Sequence, residues 1–269
     1  MPASCSLTLP RLEPVKLSHE RVDVLGCPVD ALSFSETVEE IRRALRTRRS
    51  LRVVAINVDQ VMKTRRDPAF AAVVRGGDVN FADGVPILWA AALLGHPLPG
   101  RVSGTDLVWE CARISAEDGS SVSLVGGGPG VAEKAAARVR ESIPGARLFP
   151  IPTPIPLGPS VSEAVVQRLR ELDTAIVLVA LGAPRQENWV ARYLADSGAQ
   201  VGIGVGSAFD IISGNQPRAP RWMRDHGLEW LHRLRLDPRR LAHRYLVEDS
   251  PFVLLVVFAA ISRFFRRRA

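Results

Sequence analysis

What most constrains the fold of this chain is a series of short, mostly apolar segments, each followed by a helical pattern. Arg52–Asn57, Val79–Ala82, Ser121–Val125, Ala175–Leu181 and Gln200–Val205 are four to seven residues long and rich in Val, Ile, Leu and Ala. Strands that do not alternate apolar with polar residues are buried on both faces, the situation of a parallel sheet sandwiched between helices. Helical patterns follow over Gln60–Val74, Pro86–Leu94, Val131–Ser142 and Arg185–Ser197. The expected fold is therefore α/β, a mostly parallel sheet with helices on both faces. At 269 residues and 46% hydrophobic content, the chain is long enough for one such core, over residues 21–215, plus an appendage. The Pro-rich stretch Phe149–Pro159 reads as an extended loop between two halves of the core.

Ligands of such sheets bind outside the carboxyl ends of the strands. Those ends carry Asn57, Asp83, the glycine run Gly126–Gly130 interrupted by Pro129, Arg185, Gln186 and Asp210. Several strand-to-helix junctions would turn backbone N–H groups and helix N-termini toward one crevice, a setting that suits a diphosphate. The glycine run has neither the spacing of a dinucleotide fingerprint nor the Lys ending of a P-loop, so NAD and ATP lose their usual warrant. It serves equally as a tight turn. Asp83, directly after an apolar strand and before Gly84, stands where α/β enzymes place a base, and equally where a helix N-cap stands.

The charge is just as uneven. Residues 216–269 hold twelve Arg, no Lys and five acidic residues, a surplus of seven that equals the net charge of the whole chain, +7. Guanidinium groups there interleave with Trp222, Trp230, Tyr245 and the apolar run Phe252–Ile261, a pattern that suits an anionic surface with an oily layer beneath it. A membrane surface is the first expected partner; a solvated, salt-bridged helical tail is the bland alternative. No helix-turn-helix, zinc-finger or RNP-type signature accompanies the charge, so nucleic acid is not the expected partner. The uninterrupted run Phe252–Ile261 is about half of the ~20 residues a spanning helix needs, so the tail is expected to lie on a membrane rather than cross it. Its apolar surface also suits self-association into a homo-oligomer. Residues 1–20 are expected to be a loose leader, because Leu7–Leu9 is broken by Pro10 and forms no signal-peptide core. Cys5, Cys27 and Cys111 are widely spaced with no CxxC pair, which supports neither a disulfide framework nor a zinc site.

Several ordered motifs carry a family resemblance. They include Ala82-Asp83-Gly84, Trp89, Leu98-Pro99, Arg101, Gly104-Thr105-Asp106, Leu181 through Glu187, Ala208-Phe209-Asp210, Gly214, Arg218-Ala219-Pro220, Trp222, Gly227-Leu228-Glu229-Trp230, Pro238-Arg239-Arg240 and Arg244-Tyr245-Leu246. Over about Val22–Phe252 the chain resembles the WecG/TagA/CpsF glycosyltransferases. The resemblance implies a Rossmann-like core and a basic helical C-terminal appendage, residues 216–269, that reaches the cytoplasmic face of the membrane and helps complete the active site. It implies inverting, metal-independent transfer of an N-acetylmannosamine-type or related hexose from a UDP-sugar to a polyprenyl-diphosphate-linked sugar, with no cofactor, in cell-wall or surface-polysaccharide synthesis.

Carried over residue by residue, the resemblance makes Asp83 the general base that takes the acceptor hydroxyl's proton. Asn57 and Gln186 match polar residues lining the pocket, where amides present both donors and acceptors. Arg101 matches an arginine near that pocket and has the fork to hold a diphosphate. Arg218, Arg221, Arg239, Arg240 and Arg244 are candidates for the leaving UDP or the lipid diphosphate, where fixed cations offset developing negative charge. No two aspartates are spaced D-x-D and the five His are scattered, so no metal is expected. Two departures stand out: Ala55 where the family often has Thr, and Ser207 where Gly is common. The alternative function is a non-catalytic nucleotide- or nucleic-acid-binding module that uses the basic tail.

Overall fold

The computed structural model describes residues 19–154 and 157–266, without the side chain of Arg240; most of the expected leader, residues 1–18, lies outside them. The chain opens with a hairpin, β1 (Arg21–Val24) and β2 (Cys27–Asp30), closed by the two-residue turn Leu25–Gly26 with both φ angles positive. Such turns match the natural twist of paired strands. Asp30 fixes the hairpin to the core: it accepts Nε of Arg21 at 2.6 Å and the backbone N–H of Asn80 at 2.6 Å.

Then follow α1 (Phe34–Thr47), β3 (Leu51–Ile56), α2 (Val58–Arg66), α3 (Pro68–Arg75), β4 (Val79–Ala82), α4 (Val85–Leu93), α5 (Gly104–Asp118), β5 (Val122–Gly126), α6 (Val131–Ser142), β6 (Leu148–Ile151), α7 (Pro159–Glu171), β7 (Ile176–Ala180), α8 (Arg185–Ser197), β8 (Val201–Gly204) and α9 (Ala208–Ser213). Six strands form one sheet in the order β4-β3-β8-β7-β5-β6, every pair parallel. Alternate residues of each strand feed different sides of it. On β7, Ile176, Leu178 and Ala180 join the core under α1, α5, α6 and α9, while Val177 and Val179 join the one under α7 and α8. The sheet is thus covered on both faces, as its continuous apolar strands require.

Two expectations need correction. The pattern Gln60–Val74 is two helices, because Pro68 cannot continue the first and Asp67 caps the second through its carboxylate, accepting the N–H groups of Ala69 and Phe70 at 2.9 and 3.1 Å. Phe149–Pro159 is not wholly a loop: Phe149–Ile151 belong to β6, an edge strand, the one place where a sheet tolerates Pro150.

The C-terminal part is helical: α10 (Arg221–Asp225), α11 (Glu229–Leu236), α12 (Pro238–His243), a π-helical turn over Arg244–Glu248, and α13 (Pro251–Arg266). Ion pairs tie it to the core: Arg218 to Asp106 at 2.6 Å, Glu229 to Arg101 at 3.4 Å, and Arg244 to Asp59 at 3.3 Å. Phe252 and Val256 of α13 are buried in a cluster with Ile87, Ala90, Ala91 and Leu94. The π turn links α12 to α13, and the helical run Leu241–Arg266, 26 residues, is by length and composition long and apolar enough to cross a membrane. The apolar stretch Phe252–Ile261 is thus part of a longer helical run.

Candidate active site

The carboxyl ends of β3, β4, β7 and β8 surround a polar cavity of about 160 Å³. Ala55 and Asn57 come from β3 and the start of α2, Asp83 from the end of β4, Gly182 and Gln186 from the β7–α8 junction, and Gly206 and Ser207 from the loop after β8. The C-terminal helices close it with Arg233, Leu241, Arg244 and Tyr245. A shallower groove between α5, α6 and α9 shares Thr105, Ile211 and Arg218 with it.

Asp83 lines this cavity. Its backbone N–H donates to the carbonyl of Ile56 at 2.8 Å, which extends the β3–β4 ladder by one residue and fixes where the carboxylate emerges. Desolvation pushes its pKa up to about 6, and the charge of Glu229 adds to the rise; Arg233, Arg101 and a hydrogen bond from Asn57 act against it. A carboxylate so tuned is ionised at neutral pH yet binds a proton more readily than a solvated Asp, as a general base requires. Asp83 makes no N-cap here, for α4 has Gly84 at that position and no side-chain cap.

Asn57 does two jobs: its Oδ1 accepts the Gln60 N–H at 3.3 Å, capping α2, and its side chain hydrogen-bonds Asp83. Gln186 is buried, with Nε2 donating to Glu187 at 2.8 Å and Oε1 accepting the Gly206 N–H at 3.1 Å, so it shapes the loop after β8 while lining the cavity. Burial raises the pKa of the neighbouring Glu187 carboxyl.

The arginines separate. Arg218 and Arg244 line the cavity, and Arg101 reaches the Asp83 cluster through its pair with Glu229. Arg244 is held between Asp59 and Asp249, at 3.3 and 3.4 Å. Arg221 stands in solvent paired with Asp225 at 3.6 Å, and Arg239 is exposed; neither lines the cavity. Arg240 lies in α12, its side chain outside those described.

Arg233 and Glu229 were not among the residues read from the sequence as site residues. They pair with each other four residues apart on α11, and both face the cavity. Burial alone would lower the Arg233 pKa, but the charges of Glu229 and Asp83 hold it above its ordinary value. Their i,i+4 spacing was the available signal, beside the motif Gly227–Trp230. Conversely, the glycine run at 126–130 does not line the cavity. Gly126 has φ +95°, and a Cβ there would stand 2.6 Å from the carbonyl oxygen of Ala180, to which Gly127 also donates at 3.0 Å. The run is a tight turn where two strands meet closely. Among the described residues, no group of three His, Cys, Asp or Glu is placed to hold a metal.

The profile of the glycosyl transferase WecG/TagA/CpsF family matches residues 22–266. The chain belongs to this family. Its relatives include the N-acetylglucosaminyldiphosphoundecaprenol N-acetyl-beta-D-mannosaminyltransferases of Staphylococcus aureus strains NCTC 8325 and COL. Each is 27% identical over 223 residues, 82% of this chain and 87% of the relative. A WecG/TagA/CpsF protein is a glycosyltransferase, and the cavity at the strand ends is its candidate active site.

Proposed function

We propose that this glycosyltransferase moves an N-acetylmannosamine-type or related hexose from a UDP-sugar to a polyprenyl-diphosphate-linked sugar, with inversion and without a metal or cofactor. The work is placed at the cytoplasmic face of the membrane, in the synthesis of a cell-wall or surface polysaccharide. The observation that carries the reading is Asp83, a carboxylate with a pKa raised to about 6 at the floor of a polar cavity flanked by guanidinium groups. The family and the acceptor named for the staphylococcal relatives supply the substrate class.

In this reading the acceptor hydroxyl hydrogen-bonds Asp83. As its oxygen attacks the anomeric carbon from the side opposite UDP, Asp83 takes the proton, the bond to the diphosphate breaks, and the electron pair leaves with UDP. Arg218, Arg233 and Arg244 present positive charge to the cavity, where a departing diphosphate needs it. Asn57 orients Asp83, and Ala55 leaves more room beside it than a Thr would.

The lipid-linked acceptor implies association with a membrane. A peripheral mode is favoured because Phe252 and Val256 pack α13 on the core, and because Arg244 and Asp249 pair within the same helical run. Turnover of UDP-sugars on a short-chain polyprenyl-diphosphate N-acetylglucosamine, in EDTA, tests the reading; no transfer with any donor contradicts it.

A further inference from the structure

The exposed apolar surface of this molecule is concentrated. Among the described residues, thirteen of the fifteen exposed large hydrophobic side chains lie between Trp222 and Phe265, and the other two, Trp89 and Leu93, lie on α4 in the core. These two are four residues apart, hence on one stripe of the helix, and are 55% and 60% exposed. The opposite side of α4 buries Ile87, Ala90 and Ala91.

The appendage brackets α4 on two sides. One stripe of α13, Phe252, Val256 and Ala259, packs into the cluster that holds Ile87 and Ala90, and Arg263 reaches His96 just beyond the helix at 2.8 Å. On the other side the turn at Gly227 lies against Trp89: a Cβ there would stand 3.1 Å from Trp89 Cη2 and 3.2 Å from Val85 Cβ, and its φ of +69° favours glycine. The second stripe of α13, Leu254, Val257, Phe258, Ile261 and Phe265, faces outward uncovered. Two helices that touch thus present adjoining apolar stripes, and one of them, α13, belongs to the appendage that carries all of the chain's surplus positive charge. Apolar side chains amid an arginine excess match a bilayer with anionic headgroups better than the neutral, apolar face of a second subunit.

We propose that Trp89 and Leu93 make α4 a core-borne part of the docking surface for an anionic lipid bilayer, continuous with the outer stripe of α13. The helix begins two residues after Asp83, so docking on it sets the mouth of the active site at the headgroup level. A lipid-linked acceptor then meets the base by lateral diffusion, with its diphosphate never leaving the interface. The proposal rests on the transferase reading above.

The test uses the full chain and its Leu93→Glu and Trp89→Ser/Leu93→Glu variants, floated with vesicles of phosphatidylglycerol and phosphatidylcholine in equal parts. Each variant keeps α13 intact, and Leu93→Glu leaves the contact between Trp89 and Gly227 untouched. Vesicle partitioning is expected to fall about tenfold in the double variant, the loss of one to two buried apolar side chains. Transfer to a long-chain acceptor embedded in the vesicles should fall with it, while turnover of Leu93→Glu on the short-chain soluble acceptor stays unchanged. Unaltered flotation of both variants overturns the proposal. So does a lipid-free dimer of the intact chain that Leu93→Glu dissociates, which would assign the stripe to a second copy. If the intact chain floats but transfers nothing to the soluble acceptor, the transferase reading fails, and the flotation result still decides the surface.

Discussion

Asp83 is held between opposing influences. Burial and Glu229 push its proton affinity up, while Arg101, Arg233 and Asn57 pull it down. With the pKa at about 6, kcat/KM should fall tenfold per pH unit below that value, and the acid limb of the profile measures it. Removing the charge of Glu229 takes away an influence that favours the protonated form. The Glu229→Gln variant should therefore show its acid limb at lower pH, and a limb that stays in place would contradict this role. The same tuning costs stability. The folded protein holds the Asp83 proton up to about pH 6, the unfolded chain only to the ordinary 3.8, so stability falls as pH rises through that window and the cost is complete above it. Asp83→Asn should raise Tm at pH 7.5 by several degrees, at about 2–4 °C per kcal/mol in a domain of roughly this size, and lose that gain near pH 4. Thermal melts at the two pH values check it.

Among the elements, the buried strands were the most legible, because a run such as Ile176–Ala180 is apolar without alternation and only a two-sided sheet hides it. The hairpin β1–β2 was not. Its four-residue strands are short, and they are held by partners distant in sequence: Val22, Val24, Cys27 and Val29 are buried against the core, and Asp30 accepts from Asn80. The place of Asp83, Asn57 and Gln186 at the cavity was legible because the first two follow strands directly and Gln186 opens the helix after one. Arg221 and Arg239 were candidates as arginines of the basic appendage, Arg239 within a family motif, and neither charge nor motif says which side of a short helix faces a cavity. Arg233 is the converse: its spacing from Glu229 was in the sequence, but its place beside Asp83 shows only once α11 is laid across the cavity. At this scale α13 is a removable part. Phe252→Ala should weaken its docking by about 3–5 kcal/mol, the usual cost of deleting a buried Phe side chain. Limited chymotrypsin digestion should then cut within 251–266 much faster, with the melting of the core nearly unchanged; equal cleavage rates would show that Phe252 does not hold the helix.

For the whole molecule, a neutral first 215 residues and an appendage with a surplus of seven positive charges make one pole basic and apolar. The same appendage supplies Glu229, Arg233, Arg244 and Tyr245 to the cavity, so the surface proposed to meet the lipid and the walls of the active site are one unit. Flotation should be strong with anionic vesicles, weak with neutral ones, and reduced by salt, since exposed charges are screened within about 10 Å at 0.1 M ionic strength. The central claim, carboxylate-based sugar transfer, is tested most directly by one comparison. The intact chain and Asp83→Asn are given a panel of UDP-sugars and a short-chain polyprenyl-diphosphate N-acetylglucosamine, in EDTA. The account predicts transfer by the intact chain with at least one donor, and a loss of about 10²–10⁴-fold in the variant. Equal turnover by the two proteins would contradict it.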